Sequence, residues 1–423
     1  MDTRGSGMTG SPRDRSLGRL VTRRRFLVGA VAATACTMSV PPATAPPTTP
    51  SAPNGRASLR VGVVVSLSGR YSREGQLLRA GYETWRAAAN ERGGVLAGGD
   101  RRPVELLIRD DESAPLTAVR HVEQLVQTEG IGVLLGPVSS PIALACATAA
   151  ERLGALTIVP DASAQAVYSR GLQLLISVLP TEDRYFDGIA ELAAGVVPRA
   201  RPIGLLISDD PLLNAAAEGM RTRADALGIE QVLIERFAAD ERDITRQVGR
   251  LTQGRPRCVV VAGDRELVSG FAPTFDELGL SPPMRALVSI AGNGHGGPTD
   301  REGTLSTSWW SPALESSGPV LGSASDFVAR FRAQHGYHPP SYAAAAAAAG
   351  LAFQLGAERA GSIEPKLVRA SLGRLDVRTF WGRMAWDAAG RGRGTPPITQ
   401  VQGGHVAVVY PREVAGAELR YPA

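Results

Sequence analysis

One pattern constrains this chain more than any other: from Leu59 onward, apolar β-branched runs alternate with segments of helical spacing. "LRVGVVVSLSG" reads as a buried strand ending in Ser-Gly, and "QLLRAGYETWRAAANERGG" as an amphipathic helix closed by glycines. Strand "PVELLIRDDES", helix "PLTAVRHVEQLVQTEG", strand "IGVLLGPVSS", helix "PIALACATAAERLG" and strand "ALTIVPDAS" follow in turn. The rhythm restarts at "RPIGLLISDD" and runs through "PLLNAAAEGMRTRADALG", "QVLIERF", "DITRQVGRLTQG", "RCVVVAGD", "ELVSGFAPTFDELG" and "RALVSIAG". Strands without polar alternation, separated by helices, call for a parallel sheet covered on both faces. Two such units predict an α/β chain of two doubly wound lobes. A third block must return to them: "ASDFVARFRAQHG", the alanine-rich "PSYAAAAAAAGLAFQLGAERAG", "PKLVRASLGRL", "RMAWDAAGRG" and the strand "GHVAVVYP". At 423 residues the chain exceeds what one hydrophobic core organises.

The first 56 residues read differently. "TRRRFLVGAVAATAC" places Arg-Arg before Phe-Leu and a short run of small apolar residues, the pattern of a twin-arginine export signal. That run is far shorter than the roughly 20 residues a spanning helix needs. Ala33-Thr34-Ala35 forms a peptidase site, and Cys36 directly after it resembles the lipidated cysteine of a bacterial lipoprotein. The expectation is a signal over 1–36 and a Pro/Thr-rich linker over 37–56, since proline at that density favours extended, solvated chain. The net charge of +5 does not imply nucleic acid, because the arginines are in the signal or scattered and Lys366 is the only lysine. Cys146 and Cys258 stand in apolar contexts and read as buried thiols, not a disulfide or metal pair.

The stretch "VLLGPVSSPIALACATAA", Val133 to Ala150, breaks a buried strand into Gly-Pro and two serines. Ser139 or Ser140 followed by Pro141 fits a helix N-cap. Hydroxyls and N–H groups at the carboxyl end of a parallel strand also suit a polar ligand. Enzyme motifs find no support. "GNGHGG", Gly292 to Gly297, fits G-x-G-x-x-G but is followed by no helical segment. No G-x-S-x-G appears, Ile363 stands where a Ser-x-x-Lys motif ending at Lys366 needs serine, and His335 and His338 are misspaced for a helical metal pair.

Four segments, in order, carry a family resemblance. "VGVVVSLSGRYSREGQLLRAGYETWRAAANERGGV", "VELLIRDDESAPLTAVRHVEQLV", "VLLGPVSSPIALACATAAERLGALTIVPDAS" and "GRMAWDAAGRG" with "GHVAVVYP" resemble the solute-binding proteins of branched-chain amino acid ABC transporters, over Arg60 to Pro411. The resemblance implies the type I periplasmic-binding-protein fold, with two lobes joined by a three-crossover hinge that closes on a solute. Lobe 1 would comprise 57–181 and 309–397, and lobe 2 residues 182–308 and 398–423. It places hydroxyls and main-chain N–H groups of Ser140, Ala162 and Ser163, with neighbouring Ser139, at the ligand carboxylate. Tyr71 and Tyr342 would be aromatic walls, and Glu182 a polar contact at the first crossover.

In the second lobe the residues depart from the family. Leu212 and Asp264 occupy aromatic positions, and Ala291, Gly292 and Asn293 stand where an acid should meet the ligand ammonium. Asp264 is the candidate replacement for that charge, and amides, short acids, aromatic acids and polyols stay open as ligands. The resemblance implies a monomer, exported and anchored outside the cell membrane if Cys36 is acylated. Its partners would be a small solute and a cognate permease, with no catalytic activity, cofactor or metal. A ligand-sensing receptor domain of the same fold is the alternative reading.

Overall fold

The computed structural model describes residues 57–238, 240–241, 243–271, 282–290 and 301–422. The first sheet has the order β4-β1-β5-β6-β7, all parallel: β1 (Leu59–Val65), β4 (Val104–Asp110), β5 (Val133–Leu135), β6 (Leu156–Val159) and β7 (Leu175–Ser177). Within β1 the side chains alternate between two cores. Val61, Val63 and Val65 enter the cluster shared with α1 (Ser72–Glu91) and α10 (Ser341–Ala360), while Val64 faces α2 (Pro115–Glu123) and α3 (Ser140–Arg152). From Val61 on, a strand with no polar side chain is thus buried on both sides, as its composition requires, while Arg60 is exposed.

The second sheet repeats the scheme in the order β18-β17-β12-β11-β10-β8-β9. Its parallel part is β8 (Ile203–Ser208), β9 (Val232–Phe237), β10 (Cys258–Gly263), β11 (Met284–Ser289) and β12 (Leu305–Thr307). β17 (Ile398–Gln402) and β18 (His405–Tyr410) add antiparallel strands at one edge. Cys258 and Val260 of β10 face α5 (Asp187–Gly195) and α6 (Pro211–Ala226), and Val259 and Val261 face α7 (Thr245–Gln253) and α8 (Arg265–Phe271). The fold is of the type I periplasmic-binding-protein class. The chain passes between the lobes after β7, after β12 and before β17, so three connections join them.

The third block belongs to the first lobe. Helix α9 (Ala324–His335) starts at a capping box between Ser323 and Asp326 and ends at left-handed Gly336, while α11 (Pro365–Leu372) packs beside α10. In α10, Ala343 to Ala349 are all buried. Small residues let α10 meet α1 closely: a Cβ on Gly81 would stand 2.1 Å from the Ala343 carbonyl oxygen. Trp85 of α1 then anchors the contact, its Nε1 donating to Gln354 at 3.1 Å.

β7 and β12, three residues each, carry no periodic signal that a sequence reading can separate from loop. The same holds for three hairpins: β2 (Val95–Ala97) with β3 (Asp100–Arg102), β13 (Ser317–Gly318) with β14 (Gly322–Ser323), and β15 (Asp376–Thr379) with β16 (Gly382–Ala385). The expected helix "ELVSGFAPTFDELG" is α8 as far as Phe271, and its remainder lies outside the described residues. Cys146 and Cys258 are free and buried, and burial pushes the Cys258 thiol up to about 12. Cys36, the signal and the linker lie outside the described residues, as do Ala291, Gly292, Asn293 and the rest of "GNGHGG".

Candidate functional site

The carboxyl ends of the first sheet's strands and elements of the second lobe enclose a cavity of about 780 Å³. The loop after β5 supplies one wall. Gly136 allows that loop to approach β6, since a Cβ there would meet Val159 Cγ1 at 2.6 Å. The Tyr82 hydroxyl fixes the same point by donating to the Gly136 carbonyl at 2.7 Å. Ser139 then adopts φ 73° and ψ 132°, a left-side conformation that favours glycine, at a cost of order 1–3 kcal/mol.

Ser139 precedes α3 in the cap position, but its hydroxyl makes no cap hydrogen bond. Among the described residues its buried Oγ has no hydrogen-bond partner, and the same is true of Ser289 Oγ at the end of β11. Both residues line the cavity. The Ser140 hydroxyl accepts the Ala164 N–H at 3.3 Å, which ties the loop after β5 to the loop after β6.

The first loop is held from below by Asp110, which ends β4, and by Asp111 directly after it. Asp110 accepts N–H groups of Leu67 and Ser68 and the Ser68 hydroxyl, while buried Asp111 accepts the Ser66 hydroxyl at 2.6 Å. Ser113 Oγ accepts the Tyr71 N–H at 3.0 Å, so the "DDES" turn positions Tyr71. The Arg70 guanidinium lies 4.2 Å over the Tyr71 ring and also donates to its hydroxyl.

The lining is strongly acidic. Glu74 comes from the first turn of α1, Asp161 from just after β6, Glu182 from the first connection and Asp210 from the start of α6, against Arg70 as the cation among the described lining residues. Asp210 accepts N–H groups of Leu212 and Leu213 as the N-cap of α6. Half-buried Asp161 has its carboxyl raised to about 6, by burial first and also by the Glu74 carboxylate, with the Ser139 backbone N–H pulling the other way. The Asp161 charge is in turn the main cause raising the Tyr342 hydroxyl, followed by burial, Glu74 and Tyr185. Burial and the carboxylates of Asp183 and Asp210 raise Glu182.

The family model for periplasmic binding proteins matches residues 58–405. The chain belongs to the periplasmic binding protein family. An amino acid binding protein of Pseudomonas aeruginosa is 22% identical over 334 residues, which is 78% of this chain and 87% of that protein. Leu/Ile/Val-binding protein homolog 8 of Brucella abortus is 24% identical over 354 residues, 77% of this chain and 85% of the relative. Among solved structures, a putative branched-chain amino acid ABC transporter protein from Rhodospirillum rubrum has a TM-score of 0.70 at 19% identity, covering 84% of this chain and all of that one (100%). A Rhodopseudomonas palustris solute-binding protein in complex with benzoate has a TM-score of 0.61 at 19% identity, over 86% of this chain and 97% of the other.

In this periplasmic binding protein the cavity brings together Tyr71, Ser139, Ser140, Ser163, Glu182 and Tyr342. Ala162 is not in the lining. It is fully buried beside Ala143, Val159 and Val167, with its carbonyl accepting the Tyr168 hydroxyl at 2.5 Å. Asp264 is not in the lining either; it opens α8, where its carbonyl accepts the Val268 N–H at 3.1 Å. Leu212 and Ile290 add apolar wall on the second lobe, and Tyr185 and Trp309 add aromatic wall at the connections. Sequence reasoning passed over Glu74 and Asp161. The visible signal was the aspartate in "VPDAS", one residue before Ala162 at the carboxyl end of a parallel strand.

Proposed function

We propose that this protein is the extracytoplasmic solute-capturing component of an ABC importer, holding a small polar solute in the cleft between its lobes and presenting the closed form to a membrane permease. One observation carries this reading: a cavity of about 780 Å³, of ligand size, is lined by strand-end hydroxyls from one lobe and by α6 and β11 residues from the other. Relatives named for amino acids or Leu/Ile/Val, and a structure neighbour with benzoate, support a small organic solute. Ser139, Ser140, Ser163, Glu182, Tyr71 and Tyr342 are the proposed contacts. Export by the twin-arginine route, with anchoring at Cys36, accords with the leader sequence.

The test is a thermal-shift screen of the purified full chain against amino acids, their amides, short acids and sugars. A compound at a hundred times its Kd should add about 2.7 kcal/mol of stability. The Ser140→Ala/Ser163→Ala double variant should then bind that compound about ten- to hundredfold more weakly while still folding. Unchanged affinity in a folded double variant rejects Ser140 and Ser163 as contacts.

A further inference from the structure

The charge lining the cleft says more about the solute than its size does. Three carboxylates face the cavity without serving as a helix N-cap: Glu74, Asp161 and Glu182. Arg70 is the cation among the described lining residues, and it is exposed at the rim with its guanidinium stacked on Tyr71. Asp161 stands at the strand ends where the family resemblance puts the ligand's carboxylate, with its own carboxyl against the Ser139 backbone N–H. A ligand carboxylate seated there would meet a like charge inside a half-buried site, which is repulsive and costly to desolvate. The walls are aromatic, from Tyr71, Tyr185, Trp309 and Tyr342, and aromatic faces attract cations. The unpartnered oxygens of Ser139 and Ser289 can accept N–H donors from either lobe. Among the described residues no three acidic, histidine or cysteine side chains converge closely enough to hold a metal ion.

We infer that the solute is an organic cation, an ammonium- or guanidinium-bearing molecule whose charge seats between Asp161 and Glu74 on the first lobe. The inference rests on the cleft being the binding site. It places the positive end of the solute against the first lobe, so no acid is required after β11. Arg70 on Tyr71 already displays the guanidinium–aromatic contact that such a solute would make deeper in the cleft.

Agmatine, putrescine and choline are the probes, with leucine and benzoate as zwitterionic and anionic comparators, each titrated into the full chain by calorimetry at neutral pH. At least one cation should bind, with leucine and benzoate weaker by tenfold or more. Asp161→Asn should weaken the cation at least tenfold, and Glu74→Gln gives an independent second reading should the first variant fold poorly. Cation affinity should also fall as the pH drops through about 6. The groups around Asp161 are Glu74 and Tyr82 of α1, Tyr342 of α10 and Tyr168 beyond the β6 loop; none of the tyrosines ionises there, so Asp161 carries the change. Binding of leucine or benzoate that Asp161→Asn strengthens or leaves unchanged overturns the cationic assignment and keeps the cleft. Cation binding unaffected by Asp161→Asn, Glu74→Gln and the Ser140→Ala/Ser163→Ala variant overturns the cleft itself. Absence of binding by all three cations overturns the inference.

Discussion

Tyr185 and Thr307 are joined twice: the Tyr185 hydroxyl donates to the Thr307 carbonyl at 3.2 Å, and the Thr307 hydroxyl donates to the Tyr185 carbonyl at 3.4 Å. Tyr185 follows the first connection between the lobes and Thr307 precedes the second, so the pair couples two of the three strands of chain that any closure must bend. The Tyr185 ring also lies 4.6 Å from that of Trp309, on the second connection. Tyr185→Phe keeps the ring but strands a buried carbonyl, and should cost about 1–3 kcal/mol. Thr307→Val removes the weaker bond and should cost about 1 kcal/mol. Urea unfolding of the two single variants measures both; equal stability in the Tyr185→Phe protein would show that the bond is not made in solution.

Asp161 should impose a pH dependence on the empty protein. Its folded-state carboxyl is raised from 3.8 to about 6, so the folded chain holds a proton that the unfolded chain has released across that window. Its contribution is therefore fully present below about pH 4 and is lost as the pH rises through about 6. Asp161→Asn removes this loss and should stabilise the ligand-free protein at pH 7 by up to about 3 kcal/mol, less wherever solvent reaches the group. Asp111, Glu182 and Asp187 are raised by burial as well, so the readout is the difference between the variant and the parent across pH 4 to 7. A constant difference across that range would contradict the assignment.

How much of this was legible in advance depended on the range of the signal. The apolar runs Val61–Val65 of β1 and Cys258–Gly263 of β10 declare burial on both faces because every position is occupied by a small or branched apolar residue, and the paired cores on either side of each sheet follow from that. Ser139 and Ser140 were visible because a hydroxyl pair interrupts such a run. The relation of Asp161 to Glu74 was not, because it joins the end of β6 to the first turn of α1 and exists only once the sheet order brings β6 to within one strand, β5, of β1. An aspartate after Val-Pro reads equally well as a turn residue. Asp264 shows the converse: at the end of β10 it looks like Asp161 at the end of β6, yet it opens α8 and stays outside the cavity lining.

Ser139 provides a test of strain held at the site. Its positive φ costs of order 1–3 kcal/mol, and among the described residues its buried hydroxyl has no partner to offset this. Ser139→Gly relieves the strain and removes the unpaired oxygen, against about 0.4–1 kcal/mol of added unfolded-chain entropy. The empty protein should gain about 1 kcal/mol in a denaturant titration, while affinity for whichever solute binds should fall. Loss of stability on Ser139→Gly would mean that the loop after β5 is held by the hydroxyl after all.

Glycine to alanine should have opposite signs at two helical positions, and the surroundings decide which. In isolation the change favours a helix by about 1 kcal/mol. Gly249 lies within α7 with nothing within 4 Å of where a Cβ would stand, so Gly249→Ala should gain most of that amount. Gly350 lies within α10 against Trp85 of α1, where a Cβ would come within 2.3 Å of ring carbons Cδ2 and Cε3. The Trp85 indole cannot swing away freely: it is fully buried, its Nε1 donates to Gln354, and Phe353 packs edge-on at 6.1 Å. Overpacking there should cost about 1–3 kcal/mol, which outweighs the propensity gain. Gly350→Ala should therefore lower the melting temperature while Gly249→Ala raises it, and the Trp85 fluorescence environment should change only in the first. A stabilised Gly350→Ala protein would show that α1 and α10 can separate at little cost, and would undo the argument that the alanine-rich helix is small-sided in order to let α1 approach.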